Sequence, residues 1–264
     1  DAVLDTLADQ ATRIVSLTIT EKGYGLIAGE QRLDIDNPNI KHDIANLSQA
    51  KTAVGVLVAG LQRRANSHGT GVTLLSCDNL PHNGKLLKQA TLSFAALVDE
   101  NLAARIQKHV SFPSCMVDRI VPAMTDRSRL QLQEAINTQA GGEVEPDLCG
   151  VVCETFGQWV IEDQFMAGRP DWASVGVELV DDVTAYENMK LRMLNGTHSA
   201  LAYLGYLAGH ETISDAMADA RMAALVEQLW QTEIAPTLTP PDGVSLCDYA
   251  QALATRYANP QIRH

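Results

Sequence analysis

An amine, an amide and an imidazole recur at short spacing in the C-terminal half of this chain: Lys190, Asn195 and His198, with Glu187 just before them. A lysine can exchange protons with a substrate when burial or a neighbouring cation lowers its pKa towards the working pH. A carboxamide can hold an oxygen on which charge develops. At the α-helical turn per residue, the four side chains fall within an arc of about 140°. Met189, Met193, Ala200, Leu204 and Leu207 lie on the far side. One face is therefore expected to pack and the other to present polar groups. On spacing alone, a solvated stripe on an amphipathic helix explains the same residues. Glu187 would equally complete a capping box with Thr184. Asn195-Gly196 speaks against the stripe, because both are poor helix formers and an interior Gly costs about 1 kcal/mol relative to Ala.

The elements that position such groups can be read outward from there. Ile14 to Thr20 is rich in β-branched residues and predicts a strand that ends at Glu21-Lys22-Gly23-Tyr24. Gln49 to Arg64 predicts an amphipathic helix, and Gly71 to Ser76 a strand buried on both faces that opens into Cys77-Asp78-Asn79. Strand, helix, strand is the order of a parallel α/β sheet, in which ligands gather at the carboxyl ends of strands. Glu21 and Asn79 fall at those ends. From Gly84 onward helical periodicity dominates, over Lys85 to Leu97, Glu100 to His109, Thr184 to Leu207, Ile213 to Gln231 and Leu246 to Tyr257. The expected architecture is the C-terminal part of a Rossmann-type nucleotide-binding domain, residues 1–83, followed by a mostly helical catalytic domain, residues 84–264.

Composition narrows the partners. The formal net charge is -12 and the densest basic run is Arg63-Arg64, so a duplex-binding face is not expected. No apolar run approaches the about 20 residues of a membrane helix. Five cysteines are scattered over 264 residues. That odd, dispersed set suits buried reduced thiols and a cytoplasmic protein better than a disulfide framework. Cys149-x-x-x-Cys153 could suggest a metal pair, but no His or Cys pair sits nearby with the spacing to complete a site.

The segment from Tyr186 to Gly205, Tyr-Glu-Asn-Met-Lys-Leu-Arg-Met-Leu-Asn-Gly-Thr-His-Ser-Ala-Leu-Ala-Tyr-Leu-Gly, resembles the signature of the mannitol dehydrogenase and fructuronate reductase family, the polyol-specific long-chain dehydrogenases. Further stretches match in family order: Ser16 to Tyr24, Ser76 to Asn79, Phe112 to Pro122, Cys153 to Asp163 and Arg256 to His264. The resemblance covers essentially the whole chain. It implies metal-independent hydride transfer between NAD, or NADP, and a secondary alcohol carbon. It makes Lys190 the general acid/base, Asn79 and Asn195 the amides that hold the reacting oxygen, and His198 the residue that orients the substrate. Asp118 and Arg256 become polar residues of the substrate pocket, and Glu187 a glutamate that gates or relays the proton. Glu21, with Asn79, would meet the cofactor.

Family members open on a Gly-rich phosphate loop that this sequence does not contain, and they continue past its last residue, so the chain is expected to be part of a longer protein. Thr20-Glu-Lys-Gly-Tyr24 and Asp36 to Asp43 resemble the fructuronate reductase (mannonate oxidoreductase) branch. A uronate carries a carboxylate, and Arg256 could grip it through two parallel hydrogen bonds. The alternative substrate is a hexitol such as mannitol. A distant alternative is a helical interaction domain that binds no cofactor.

Overall fold

Val72–Ser76 is aliphatic at three of five positions, its other two side chains are small hydroxyls, and all five residues are buried. In the computed structural model, which describes residues 2–27, 29–30 and 32–262, this segment is the central strand of a three-stranded sheet. Asp1, Arg263 and His264, which the reading above includes, lie outside the described residues. The chain divides into two units, Asp1–Val117 with Gln158–Thr184, and Asp118–Gly157 with Ala185–His264.

In the first unit the strands β1 (Ile14–Leu17), β2 (Val72–Ser76) and β3 (Val110–Ser111) lie in that order and pair in parallel, with Leu17 opposite Ser76. Short helices α1 (Ala2–Ala8), α2 (Thr20–Gly23) and α3 (Pro38–Ala45) accompany β1. Helix α4 (Ala53–Ser67) makes the crossover from β1 to β2 and buries Val54, Leu57, Val58 and Leu61. It starts where Thr52 accepts from the Gly55 N–H, and the fully buried Asp43 accepts from the Lys51 and Thr52 N–H groups and the Thr52 hydroxyl. A carboxylate taken out of water needs such donors, and here they fix the entry of the helix.

Helices α5 (Asn83–Val98) and α6 (Glu100–His109) carry the chain from β2 to β3. The division expected between residues 83 and 84 therefore falls inside the first unit. Two parallel strands cannot be joined by a tight turn; they need a crossover of a dozen or more residues, and α5 and α6 are that crossover. Gly84 lets the start of α5 approach closely, since a Cβ there would stand 2.5 Å from the Phe112 and Pro113 carbonyl oxygens. A second sheet, in the order β4 (Cys115–Asp118), β5 (Gln158–Glu162), β6 (Glu178–Val180), has β5 and β6 in parallel.

The second unit is helical. It contains α7 (Asp126–Ala140), α8 (Thr184–Met189, whose first residue belongs to the first unit), α9 (Thr197–Ala208), α10 (Ile213–Ala218), α11 (Ala220–Gln228) and α12 (Leu246–Tyr257). Helix α7 buries no residue, which is why no apolar periodicity announced it. The helices expected over 184–207 and 213–231 are interrupted. Lys190–Gly196 and Leu229–Ile234 are π-helical, and Asp219 is extended and accepts from the Arg221 N–H to start α11. Of the face expected to pack, Met189 and Met193 are buried, but Leu204 and Leu207 are exposed.

The five cysteines form no disulfide. Cys115 is buried and Cys77 half-buried; Cys149, Cys153 and Cys247 are exposed, so the expected burial holds fully for Cys115 alone of the five. Among the described residues no helix is long and apolar enough to cross a membrane, and no group of three His, Cys, Asp or Glu side chains could hold a metal.

Candidate functional site

Helix α8 opens at Thr184, whose N–H and hydroxyl both donate to Asp182 Oδ1, at 2.8 and 2.5 Å. Asp182 thus takes both groups of the threonine proposed as the cap. Six residues later the backbone changes to π geometry, and Lys190–Gly196 carries both Lys190 and Asn195. In an α-helix residues five apart lie about 140° from each other. A π-helix closes its hydrogen bonds on residues five apart, so such residues come to lie nearly above one another. The local winding, rather than a regular helical stripe, is what brings this amine and this amide to one face. Lys190 is buried, 7% exposed, while Asn195, His198 and Glu187 are half-buried.

Two carbonyls of this turn accept from side chains of other helices. The Trp230 indole N–H donates to Met193 O at 2.9 Å, and the Tyr257 hydroxyl donates to Leu194 O at 2.6 Å. Tyr257 also contacts the Thr197 hydroxyl at 3.1 Å, and its ring lies edge-on to His198. Neither Trp230 nor Tyr257 stands out in the sequence, since each reads as an ordinary core aromatic.

Arg256 precedes Tyr257 in α12 and is almost completely enclosed. Nη1 and Nη2 donate to the two oxygens of Asp118, both at 2.8 Å. Nε and Nη2 donate to the two oxygens of Glu154 at 3.0 and 2.7 Å. The guanidinium also lies over the Phe156 ring, 4.1 Å from its centre. Burial alone would lower the pKa of this group; its hydrogen bonds to two carboxylates outweigh burial and raise it. Glu154 is tied in turn to the backbone, accepting from the Ile120 N–H at 2.6 Å.

A guanidinium has five N–H donors, and four are engaged by Asp118 and Glu154. A two-pronged grip on a substrate carboxylate would require displacing one of them. With both acids ionised the trio carries one net negative charge. The fork expected to meet a uronate is therefore filled from within the protein, and Arg256 braces this end of α12 against Asp118 and Glu154. Glu154 lies in the quoted Cys153 to Asp163 motif but had no role assigned to it; a partner 102 residues away leaves no local signal.

In the first unit, Glu21 and Asn79 follow the carboxyl ends of two paired parallel strands, and both are exposed. Between them Asp78 organises the edge. It accepts from the Ile19 N–H at 3.2 Å, the Thr20 N–H at 2.8 Å and the Tyr24 hydroxyl at 2.7 Å. Tyr24 also hydrogen-bonds Ser76. Thr20 sits at φ +60°, a left-handed conformation in which a threonine is strained. The Asp78 bonds hold it there, and this was not read from the sequence.

The structure thus joins Lys190 with Asn195 on one turn and Asp118 with Arg256 in one cluster, sets His198 beside Tyr257, and leaves Glu21 and Asn79 on the sheet edge of the other unit. A cavity of about 650 Å³ in the second unit, lined by Met124, Arg127, Ser128, Gln131, Thr212 and Gln261, involves none of the candidate residues.

Comparison with known proteins identifies this architecture. Residues 1–174 match the mannitol dehydrogenase Rossmann domain, and residues 182–264 the mannitol dehydrogenase C-terminal domain. The chain is 47% identical to the oxidoreductase YdfI of Escherichia coli K12 and 45% identical to D-mannonate oxidoreductase of the same organism, in each case over all of this chain and 53% of that protein. The structure of Pseudomonas fluorescens mannitol 2-dehydrogenase, solved with NAD and D-mannitol, superposes with a TM-score of 0.86 at 44% identity, over 98% of this chain and 51% of that one. The chain spans about half the length of the relatives it matches. With both family domains matched in order, and a Rossmann-like parallel sheet followed by helices, this chain belongs to the mannitol dehydrogenase family.

Proposed function

We propose that the protein containing this chain is an NAD-dependent, metal-independent dehydrogenase that interconverts D-mannonate and D-fructuronate. The observation that carries this reading is the buried Lys190 sharing one π-helical turn with Asn195. Membership of the family supports the reaction class. The similarity to D-mannonate oxidoreductase and the Thr20-Glu-Lys-Gly-Tyr24 segment support the sugar-acid branch.

When bound, the nicotinamide supplies or takes up the hydride. In the oxidation direction Lys190, as the neutral amine, accepts the hydroxyl proton from the reacting carbon. Burial of the Lys190 side chain favours such a role, because burial lowers the pKa of an amine. Asn195 donates to the same oxygen as its charge develops, and Asn79 is assigned the second amide on family resemblance. His198 orients a neighbouring hydroxyl, and Glu187, three residues before Lys190, passes the proton on. An ionised carboxylate has about four acceptor positions. Asp118 uses two of them on Arg256 and can still accept a substrate hydroxyl. For the cofactor, the exposed edge carrying Glu21 and Asn79 offers both an acceptor and an amide, which fits a carboxamide ring, and the Asp78 bonds keep that edge fixed. Cysteines that form no disulfide suit a reducing compartment, and we place the enzyme in the cytoplasm.

One observation favours a hexitol substrate instead: the engaged, net-negative Arg256 cluster offers no fork for a carboxylate. Steady-state reduction of D-fructuronate and of D-fructose by the intact protein with NADH separates the readings. A higher kcat/KM for fructuronate is expected. Preference for fructose would transfer the assignment to mannitol, and turnover of neither would remove both.

A further inference from the structure

We propose that Trp230 and Tyr257 are positioning residues, a two-point clamp that holds the Lys190–Gly196 turn in π geometry and so keeps the Lys190 amine and the Asn195 amide on one face. The inference rests on the reading of Lys190 and Asn195 as reacting groups. A change from α to π winding takes carbonyls out of the regular i→i+4 ladder, and a buried carbonyl without a donor is costly. The carbonyls of Met193 and Leu194 lie between Lys190 and Asn195, and both residues are buried. Each receives a donor from a separate element: the Trp230 indole at 2.9 Å and the Tyr257 hydroxyl at 2.6 Å. Thr197, on the same helix, adds a hydroxyl bond to Met193 O and donates its backbone N–H to Leu194 O, so the Tyr257 bond reinforces the Leu194 carbonyl rather than being its sole donor.

The clamp is built to stay in place. Trp230 is 3% exposed and Tyr257 fully buried, and their rings stack with centres 6.1 Å apart. Trp230 stands on a π-helical turn of its own, Leu229–Ile234. An indole N–H can only donate. Burial pushes the Tyr257 phenol up to about 12, so it too remains a donor at working pH. Arg256, the residue before Tyr257, is locked to Asp118 and Glu154, which anchors this end of α12. If the turn relaxed to α winding, Asn195 would swing to about 140° from Lys190 around the helix. Misplacement of a reacting group by about 1 Å can cost on the order of 10²-fold in rate.

Tyr257→Phe and Trp230→Phe each remove a donor while keeping an aromatic ring. They are measured in the intact protein beside Lys190→Ala and beside Tyr206→Phe, an exposed control on α9. The clamp predicts that each donor variant loses about 10-fold or more in kcat on D-fructuronate or D-fructose with KM changed less than about 3-fold. It also predicts faster amide hydrogen exchange in peptides covering residues 190–197. The double variant should lose much less than the product of the single losses, because both donors serve one turn. Tyr206→Phe should match the unmodified protein. A lowered melting temperature with unchanged kcat and unchanged exchange in 190–197 would make the two residues plain core and overturn the clamp. If Lys190→Ala is inactive while both donor variants keep full turnover, the clamp fails and the reading of Lys190 stands. If Lys190→Ala keeps its turnover, the reading of Lys190 falls, and exchange in 190–197 then decides whether the two side chains hold the turn.

Discussion

Arg256→Leu isolates the consequence of the buried ion cluster. The substitution removes one cation and leaves Asp118 and Glu154 facing each other, with side chains 3% and 5% exposed. Removing one partner of a buried pair typically costs about 3–5 kcal/mol, because the remaining charge is uncompensated. Here two carboxylates lose their shared partner, so the upper part of that range applies. For a chain of this size such a loss lowers the melting temperature by on the order of 10 °C. Thermal unfolding of the intact protein and the variant at neutral pH tests this. Turnover of sugar acid and of sugar should fall together, because a brace serves both. A melting temperature within about 2 °C of the unmodified protein, with loss confined to fructuronate, would refute the brace and return the guanidinium to substrate recognition.

Three further outcomes follow from the geometry. Gly84→Ala should destabilise the first unit by about 1–3 kcal/mol or more in urea unfolding, because the added methyl meets backbone oxygens at 2.5 Å that cannot rotate away; an unchanged midpoint would mean that the α5 approach is looser than described. Thr20→Gly should stabilise by roughly 0.5–1 kcal/mol, by removing the left-handed strain at φ +60° while keeping the N–H that Asp78 holds; destabilisation would show that the threonine side chain matters more than its backbone. Burial raises the Tyr257 phenol from its ordinary 10 to about 12, so it stays protonated in the fold after it would ionise in the unfolded chain. Its contribution to stability is therefore whole below pH 10 and lost as pH rises towards 12. Alkaline unfolding should be less steep over that window in Tyr257→Phe, and an identical pH dependence would contradict this.

Much of the fold is legible in the residues because it is locally determined. β2 was read from its apolar run, and α6 and α12 from apolar periodicity that runs the length of each helix. Lys190, Asn195 and His198 stand out as candidates because reactive types cluster within nine residues. What escaped is what local pattern cannot encode. The π winding is invisible to a 3.6-residue wheel, although Asn195-Gly196 marked the place as unfavourable for a regular helix. The carboxylates that occupy Arg256 stand 102 and 138 residues away, so its sequence neighbourhood could not separate a brace from a substrate grip. Helices α5 and α6 have the same periodicity whether they cover a parallel sheet or begin a new domain, and the unit boundary was misplaced for that reason.

The Lys190 amine as the proton-transfer group is the central assignment. The direct measurement is kcat as a function of pH for the intact protein and for Lys190→Ala, with and without added small primary amines. The variant should lose about 10²-fold or more in kcat, the limb of the pH profile due to the amine should disappear, and added amines should restore part of the rate. Near-normal turnover in Lys190→Ala with an unchanged pH profile would contradict it.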